Sequence, residues 1–143
     1  MSRSVDIDFT FNESIDAPTF VRALLGGGLR VSTYGKVTYL IDEDGMFDWE
    51  KAPMSQLDKI LSRMREGSMA GRTVGITVLF SEGEHGGDFL IHPERTSASF
   101  VIGINPKPLA GSKKFCDLGW YLNQLVPLLE PLGLSEIEAR DSS

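Results

Sequence analysis

Two alternating stretches, T-V-G-I-T-V-L-F at Thr73–Phe80 and S-A-S-F-V-I-G-I at Ser97–Ile104, decide the fold of this chain. Apolar residues occupy every second position in each stretch. A period of two is typical of a β-strand that has one buried face and one wet face. Phe89–Ile91, which lies between them, is predicted to be a third, short strand. Strands this close along the chain pair as hairpins, so the three predict the centre of an antiparallel sheet.

Further strands are predicted on both sides of this centre. Val5–Phe11 alternates apolar and polar residues and predicts a first strand. Leu29–Tyr34 and Lys36–Ile41 predict two strands that are joined by a tight turn. Ser135–Ala139 predicts a short last strand, and we expect residues 141–143 to be frayed behind it.

Three helices are predicted between the strands. Asp16 is the expected N-cap of the first helix, and apolar residues at helical spacing over 54–64 predict the second. The third begins near Asp117, and Pro127 is expected to kink or divide it because the ring removes a backbone donor. These elements predict an α+β fold. It is a single domain, residues 1–143, with an antiparallel β-sheet of about six or seven strands and two or three helices packed on one face.

The charge balance of the chain restricts its partners. Of the 143 residues, 14 are Lys or Arg and 20 are Asp or Glu, which gives a net charge of −6. Nucleic-acid affinity depends on cations that neutralise phosphates, so this bias argues against nucleic-acid binding and against adhesion to an anionic membrane. An acidic surface suits a basic protein partner, although moderate acidity also serves simply to keep a protein soluble.

Two features of the sequence bear on its compartment. The longest apolar runs fall far short of the ~20 residues that span a bilayer. The N-terminus, M-S-R-S-V-D-I-D, has acids where a secretory signal has its apolar region, so we expect a cytoplasmic protein. The single cysteine, Cys116, excludes an internal disulfide and a multi-cysteine metal site, and we expect it to pack in the core.

The best candidate for binding is the aromatic and acidic segment Met46–Glu50, which follows the polar turn Asp42–Gly45. Trp and Phe are typical interface anchors, and acids around them favour a basic partner. The alternative is that Phe47 and Trp49 hold the following helix against the sheet. Glu82 and Glu84, in the turn before the predicted strand Phe89–Ile91, are added as further acids. The predicted partner-binding residues are therefore Asp42, Glu43, Asp44, Phe47, Asp48, Trp49, Glu50, Glu82 and Glu84.

Catalytic chemistry has weaker signals. His85 and His92 are separated by a predicted strand of about five residues, roughly 17 Å when extended, and no metalloenzyme spacing such as H-E-x-x-H is present. We therefore predict no catalytic residue, no metal and no cofactor. Two alternatives stay open. One is a small enzyme that uses His85, His92 and Glu94 after folding brings the 82–95 loops together, and the other is a structural homo-oligomeric subunit.

The chain resembles small cytoplasmic immunity proteins of bacterial toxin–immunity systems. The resemblance covers the whole chain in size, acidity and element pattern. Its nearest local features are Y-L-I-D-E-D-G-M-F-D-W at Tyr39–Trp49 and E-R-T-S-A-S-F at Glu94–Phe100. It implies a compact α+β inhibitor that neutralises a cognate toxin by direct binding through an acidic surface. It assigns no residue a role.

Overall fold

The structure, a computed structural model, describes residues 4–66 and 69–142. In these ranges the chain forms eight β-strands and three α-helices. The strands are β1 Ser4–Phe11, β2 Ser32–Thr33, β3 Lys36–Ile41, β4 Trp49–Pro53, β5 Val74–Leu79, β6 Gly86–Ile91, β7 Ser97–Ile104 and β8 Leu134–Ser142. The helices are α1 Ala17–Gly26, α2 Leu57–Arg65 and α3 Leu118–Leu129.

All strand pairs in the sheet are antiparallel, and the order runs β2, β3, β5, β6, β7, β1, β8. β4 pairs with Lys36–Leu40 along one side of β3. β2 and β5 therefore share the other side of β3, with β5 opposite Tyr39–Ile41. β4 and β8 are consequently the two edges of the sheet.

The prediction of an α+β fold with an antiparallel sheet is confirmed, but the prediction of a frayed end is wrong. The described sheet has eight strands because Trp49–Pro53, which lacks an alternating pattern, forms β4. The last strand continues past Ala139, and Asp141 pairs with Val5, so Asp141 and Ser142 are not frayed. Ser143, the remaining residue of the expected frayed end, lies outside the described residues.

Aromatic side chains form the centre of the core between the sheet and the helices. Phe89 on β6 lies 4.6 Å from Phe100 on β7 and 5.1 Å from Phe20 on α1, measured between ring centroids. Tyr121 on α3 packs 5.6 Å from Phe80. Leu57, Ile60, Leu61 and Met64 of α2 belong to the same buried cluster, so the helices share one face of the sheet.

The helix ends follow local chemistry. Asp16 caps α1 as predicted, because its Oδ1 accepts a hydrogen bond of 2.8 Å from the amide of Thr19. Of the two predicted effects of Pro127, a kink or a division, the division does not occur, since α3 continues to Leu129. Pro127 stands in the last turn, where only one intrahelical hydrogen bond is lost. No helix in residues 4–66 and 69–142 is long and apolar enough to cross a membrane.

Replacing Phe89 by alanine should destabilise the fold by about 3–5 kcal/mol, because the ring is fully buried and its removal leaves a cavity. Phe115→Ala is the matched control, since Phe115 is 41% exposed and should cost under about 1 kcal/mol. Both changes are measured by urea unfolding, and they can be compared when the m-values of the variants are equal. Similar losses in the two variants would contradict the described core.

Candidate functional site

Residues 42–50, called here the acidic loop, connect β3 to β4 in a defined conformation. Asp44 Oδ1 accepts a hydrogen bond of 3.0 Å from the amide of Met46. Asp42 Oδ1 accepts one of 3.2 Å from the amide of Phe47. Gly45 has φ +79°, which suits glycine. The loop is therefore folded on its own side chains.

Two arginines from outside the loop support it. Arg63 on α2 donates from a terminal nitrogen to Glu43 Oε1 at 2.7 Å, and Arg72 donates to the main-chain oxygen of Glu43. Partial burial lowers the pKa of Arg63, but the hydrogen bond to Glu43 and the nearby Tyr39 and Glu43 outweigh it, so the pKa is raised. A depression of about 200 Å³ lies there, lined by Ile41, Glu43, Asp44, Asp48, Glu50 and Arg63.

The acidic loop combines negative charge with exposed apolar side chains. Its five carboxylates outnumber the two supporting arginines, so the surface is negative overall. Met46 is 69% exposed, Phe47 is 49% exposed and Trp49 is 37% exposed. Large apolar groups that stay in water beside charged groups are typical of a surface that a partner covers.

Trp49 lies on the face of the sheet that the helices leave uncovered, called here the open face. It pairs with Leu40, which is fully buried and yet outside the main core cluster. A Cβ added to Gly75 would lie 2.9 Å from Cη2 of Trp49, so the indole rests directly on this glycine. Trp49 therefore does not hold α2 against the sheet, and that alternative is wrong for this residue.

A chain of polar side chains, called here the polar ladder, crosses the open face from β6 to β8. His92 Nε2 lies 2.7 Å from Ser99 Oγ, and Ser99 Oγ donates to Asp8 Oδ1 at 2.6 Å. Arg140 donates to Asp8 Oδ2 at 2.6 Å. A depression of about 280 Å³ lies over the ladder, lined by Asp8, Thr10, His92, Ser97, Ala98, Ser99, Glu136 and Glu138.

The direction of each hydrogen bond in the polar ladder follows from the number of protons that each group carries. A serine hydroxyl has one proton, and Ser99 uses it to donate a hydrogen bond to Asp8. The oxygen of Ser99 can therefore only accept from His92, so Nε2 of His92 is the donor. Partial burial raises the pKa of Asp8, but hydrogen bonds from Ser99 and Arg140 and the charges of Arg140 and His92 outweigh it, so the pKa is lowered. In a serine hydrolase the histidine instead accepts the serine proton. Here the order is different, because His92 donates to Ser99 and the hydroxyl of Ser99 donates to the carboxylate of Asp8.

The other predicted partner-binding residues lie elsewhere. Glu82 and Glu84 stand in the turn that follows β5, whereas the acidic loop adjoins the start of β5. A strand of six residues spans about 20 Å. Glu82 and Glu84 therefore do not form one surface with residues 42–50.

The fold does not bring the two histidines together. His85 Nδ1 donates a hydrogen bond to the main-chain oxygen of Asn105, and the centroid of its ring lies 5.2 Å from that of Trp120. His92 lies at the opposite end of β6, with the exposed Glu94 in the turn behind it. Within the described ranges no group of three or more His, Cys, Asp or Glu side chains is placed to hold a metal ion.

Sequence reasoning missed Arg95, which is only 7% exposed. Its terminal nitrogens donate to the main-chain oxygens of Arg72 at 2.6 Å, Met69 at 2.7 Å and His92 at 3.0 Å. Burial lowers the pKa of Arg95. The side chain thus joins the segment before β5 to the turn after β6. Sequence gives little signal for this role, because arginine is normally exposed.

These observations define an α+β protein with one dry and one open sheet face, an acidic loop at one edge of the sheet and a polar ladder near the other edge. No protein-family model, curated protein or solved structure matches the chain. Its function is therefore argued from the geometry of these surfaces.

Gly75→Ala should displace the indole of Trp49, because the new methyl group would also meet the Phe89 carbonyl at 2.8 Å. We expect a destabilisation of about 1–3 kcal/mol and a change in tryptophan emission. Gly103→Ala is the control, since nothing lies within 4 Å of a Cβ at Gly103. Trp49→Phe identifies which part of the emission belongs to Trp49. Unchanged emission in Gly75→Ala would show that the indole does not rest there.

Asp8→Asn should destabilise the protein at neutral pH but much less in acid. The folded-state pKa of Asp8 is lowered, so its carboxylate stabilises the fold above the unfolded value of about 3.9. That contribution is lost as the pH falls through the folded pKa, because protonated Asp resembles Asn. Urea midpoints of variant and wild type, which should differ at pH 7, should therefore converge at a pH below the folded pKa of Asp8. Glu130→Gln, an exposed control, should show no such convergence, and an equal loss for Asp8→Asn at both pH values would exclude a charge effect.

Proposed function

We propose that the protein is a non-catalytic protein-binding module of the immunity-protein type. In this proposal it acts in the cytoplasm and neutralises a cognate toxin domain by binding a basic surface of that domain. The observation that carries the proposal is the exposure of Met46, Phe47 and Trp49 within the negatively charged acidic loop.

The arrangement of the acidic loop has the anatomy of a binding surface. Apolar anchors contribute most of the affinity of a typical interface, and charges at the rim contribute selectivity and rate. Phe47 projects from a backbone with φ +53°, a conformation that costs energy for a side chain of this size. The hydrogen bonds that the amides of Phe47 and Met46 donate to Asp42 and Asp44 hold this conformation, so the anchors are ordered before a partner arrives.

The net charge of −6 supports the choice of a basic partner. Complementary fields bring two proteins together faster than diffusion alone and discourage acidic competitors. Asp48 and Glu50 face the depression beside Arg63, where a lysine or arginine of the partner can enter. A guanidinium in that position would contact carboxylates from both ends of the loop.

The double substitution Phe47→Ala and Asp48→Lys should weaken partner binding by at least about tenfold, because it removes an anchor and reverses a rim charge. It leaves Trp49 on Gly75, so the sheet is undisturbed. The partner is first captured from the source cell's lysate at low and high salt and identified by mass spectrometry. Association rates are then measured by surface plasmon resonance.

Glu82→Lys is the matched control, since it makes the same charge change at the far end of β5. Wild-type and Glu82→Lys proteins should bind alike, and association should slow as the ionic strength rises. Full affinity in the folded double variant would remove the acidic loop from the interface. Absence of any stoichiometric basic partner at either salt would overturn the proposed function.

A further inference from the structure

The two edges of the sheet are protected very differently. β4 is short, with five residues, and carries Lys51 and Pro53, which are typical devices against strand pairing. β8 has nine residues, Leu134–Ser142, with neither proline nor lysine. Among the described strands only β1 pairs with it, and the carboxylate of Asp141 accepts a hydrogen bond of 2.6 Å from the amide of Cys116. β8 thus offers a long backbone edge for an added strand.

The side chains of β8 on the open face determine which charge on an added strand is favourable. Glu136 and Glu138 project there in alternation with their neighbours, opposite Thr10 and Asp8 of β1. Arg140 is already engaged by its own chain, with Glu138 at 2.6 Å, Asp8 at 2.6 Å and Asp6 at 3.3 Å. The carboxylates of Asp6, Asp8 and Glu138 therefore share this one guanidinium. Glu136 adds a fourth acid on the same face, so the edge is negative.

This charge disfavours a second copy of the chain as the occupant. Antiparallel pairing of β8 with itself around a two-fold axis would place two such carboxylate clusters side by side, with only the two Arg140 groups to offset them. Like charges on facing strands destabilise a sheet. A strand that carries Lys or Arg at every second position is attracted instead, because its cations lie beside Glu136 and Glu138.

We propose that the free edge of β8 is a strand-addition site for an extended basic segment of a partner protein. The main chain of that segment pairs with β8, and its cationic side chains lie over Glu136 and Glu138. One of them reaches the depression of about 280 Å³ that these glutamates form with Ser97 and His92. The inference rests on the proposed function only for the charge of the partner, and it names a separate surface. The β8 edge lies across the sheet from the acidic loop, since six strand spacings, about 29 Å, separate β4 from β8.

The test uses the full chain, labelled with ¹⁵N, and a nine-residue peptide of alternating Arg and Thr with blocked ends. We expect saturable amide shifts in residues 134–142 and in β1, and none in the acidic loop. A peptide of alternating Glu and Thr should not bind. Glu136→Lys should weaken the Arg peptide about tenfold, whereas Glu130→Lys, an exposed control outside the strands, should leave its affinity unchanged.

Backbone methylation separates strand addition from simple charge attraction. In an extended peptide, N–H groups of alternate residues point to the same side, so N-methylation in one frame blocks pairing and in the other frame spares it. One methylated peptide should lose binding and the other should keep it. Equal binding of both, shifts confined to residues 42–50, or absence of saturable binding would each overturn the inference. Partner capture that depends on Phe47 and Asp48 would still stand in those cases, so the two proposals fail separately.

Discussion

The contact between Phe89, Phe100 and Phe20 is the constraint on which the other features depend. These three rings are fully buried where two central strands meet α1. A sheet face that buries so much aromatic surface must be covered completely, and the helices do this from one side. The helices leave the opposite face uncovered. The separation of a dry face from an open face thus divides the parts that hold the protein together from the parts available for recognition.

The open face is not uniform across the sheet. Near β4 it is apolar, because the indole of Trp49 rests on Gly75 beside the buried Leu40. Towards β8 it becomes polar and negative, with Asp8 fixed between Ser99 and Arg140. Both ends combine order with negative charge, but their chemistry differs. One presents exposed apolar side chains, and the other presents a backbone edge.

The sequence predicts best where burial alone selects the pattern. Ser97–Ile104 forms β7 with the predicted bounds, since its alternate residues enter the core. Trp49–Pro53 is mostly exposed, so the hydrophobic pattern gave no sign of β4. The acidic loop was predictable as a candidate surface from its composition. The polar ladder was not, because Asp8 and Arg140 are 132 positions apart and meet only through the strand register.

The position of β1 has a consequence for how the chain reaches this structure. β1 is the first described strand, yet its neighbours are β7 and β8, and Ser4 pairs with Ser142. During synthesis, therefore, one edge of β1 has no partner until β7 exists, and the other has none until almost all of the described chain exists. Contacts this distant in sequence make folding slow, because a long loop must close before they form. Because β1 and β8 are neighbours, the start of the first described strand and the end of the last one lie side by side. A circular permutant that joins them and opens the exposed turn at 82–84 would make β1 and β8 a local hairpin, and β5 and β6 would become the pair most distant in sequence.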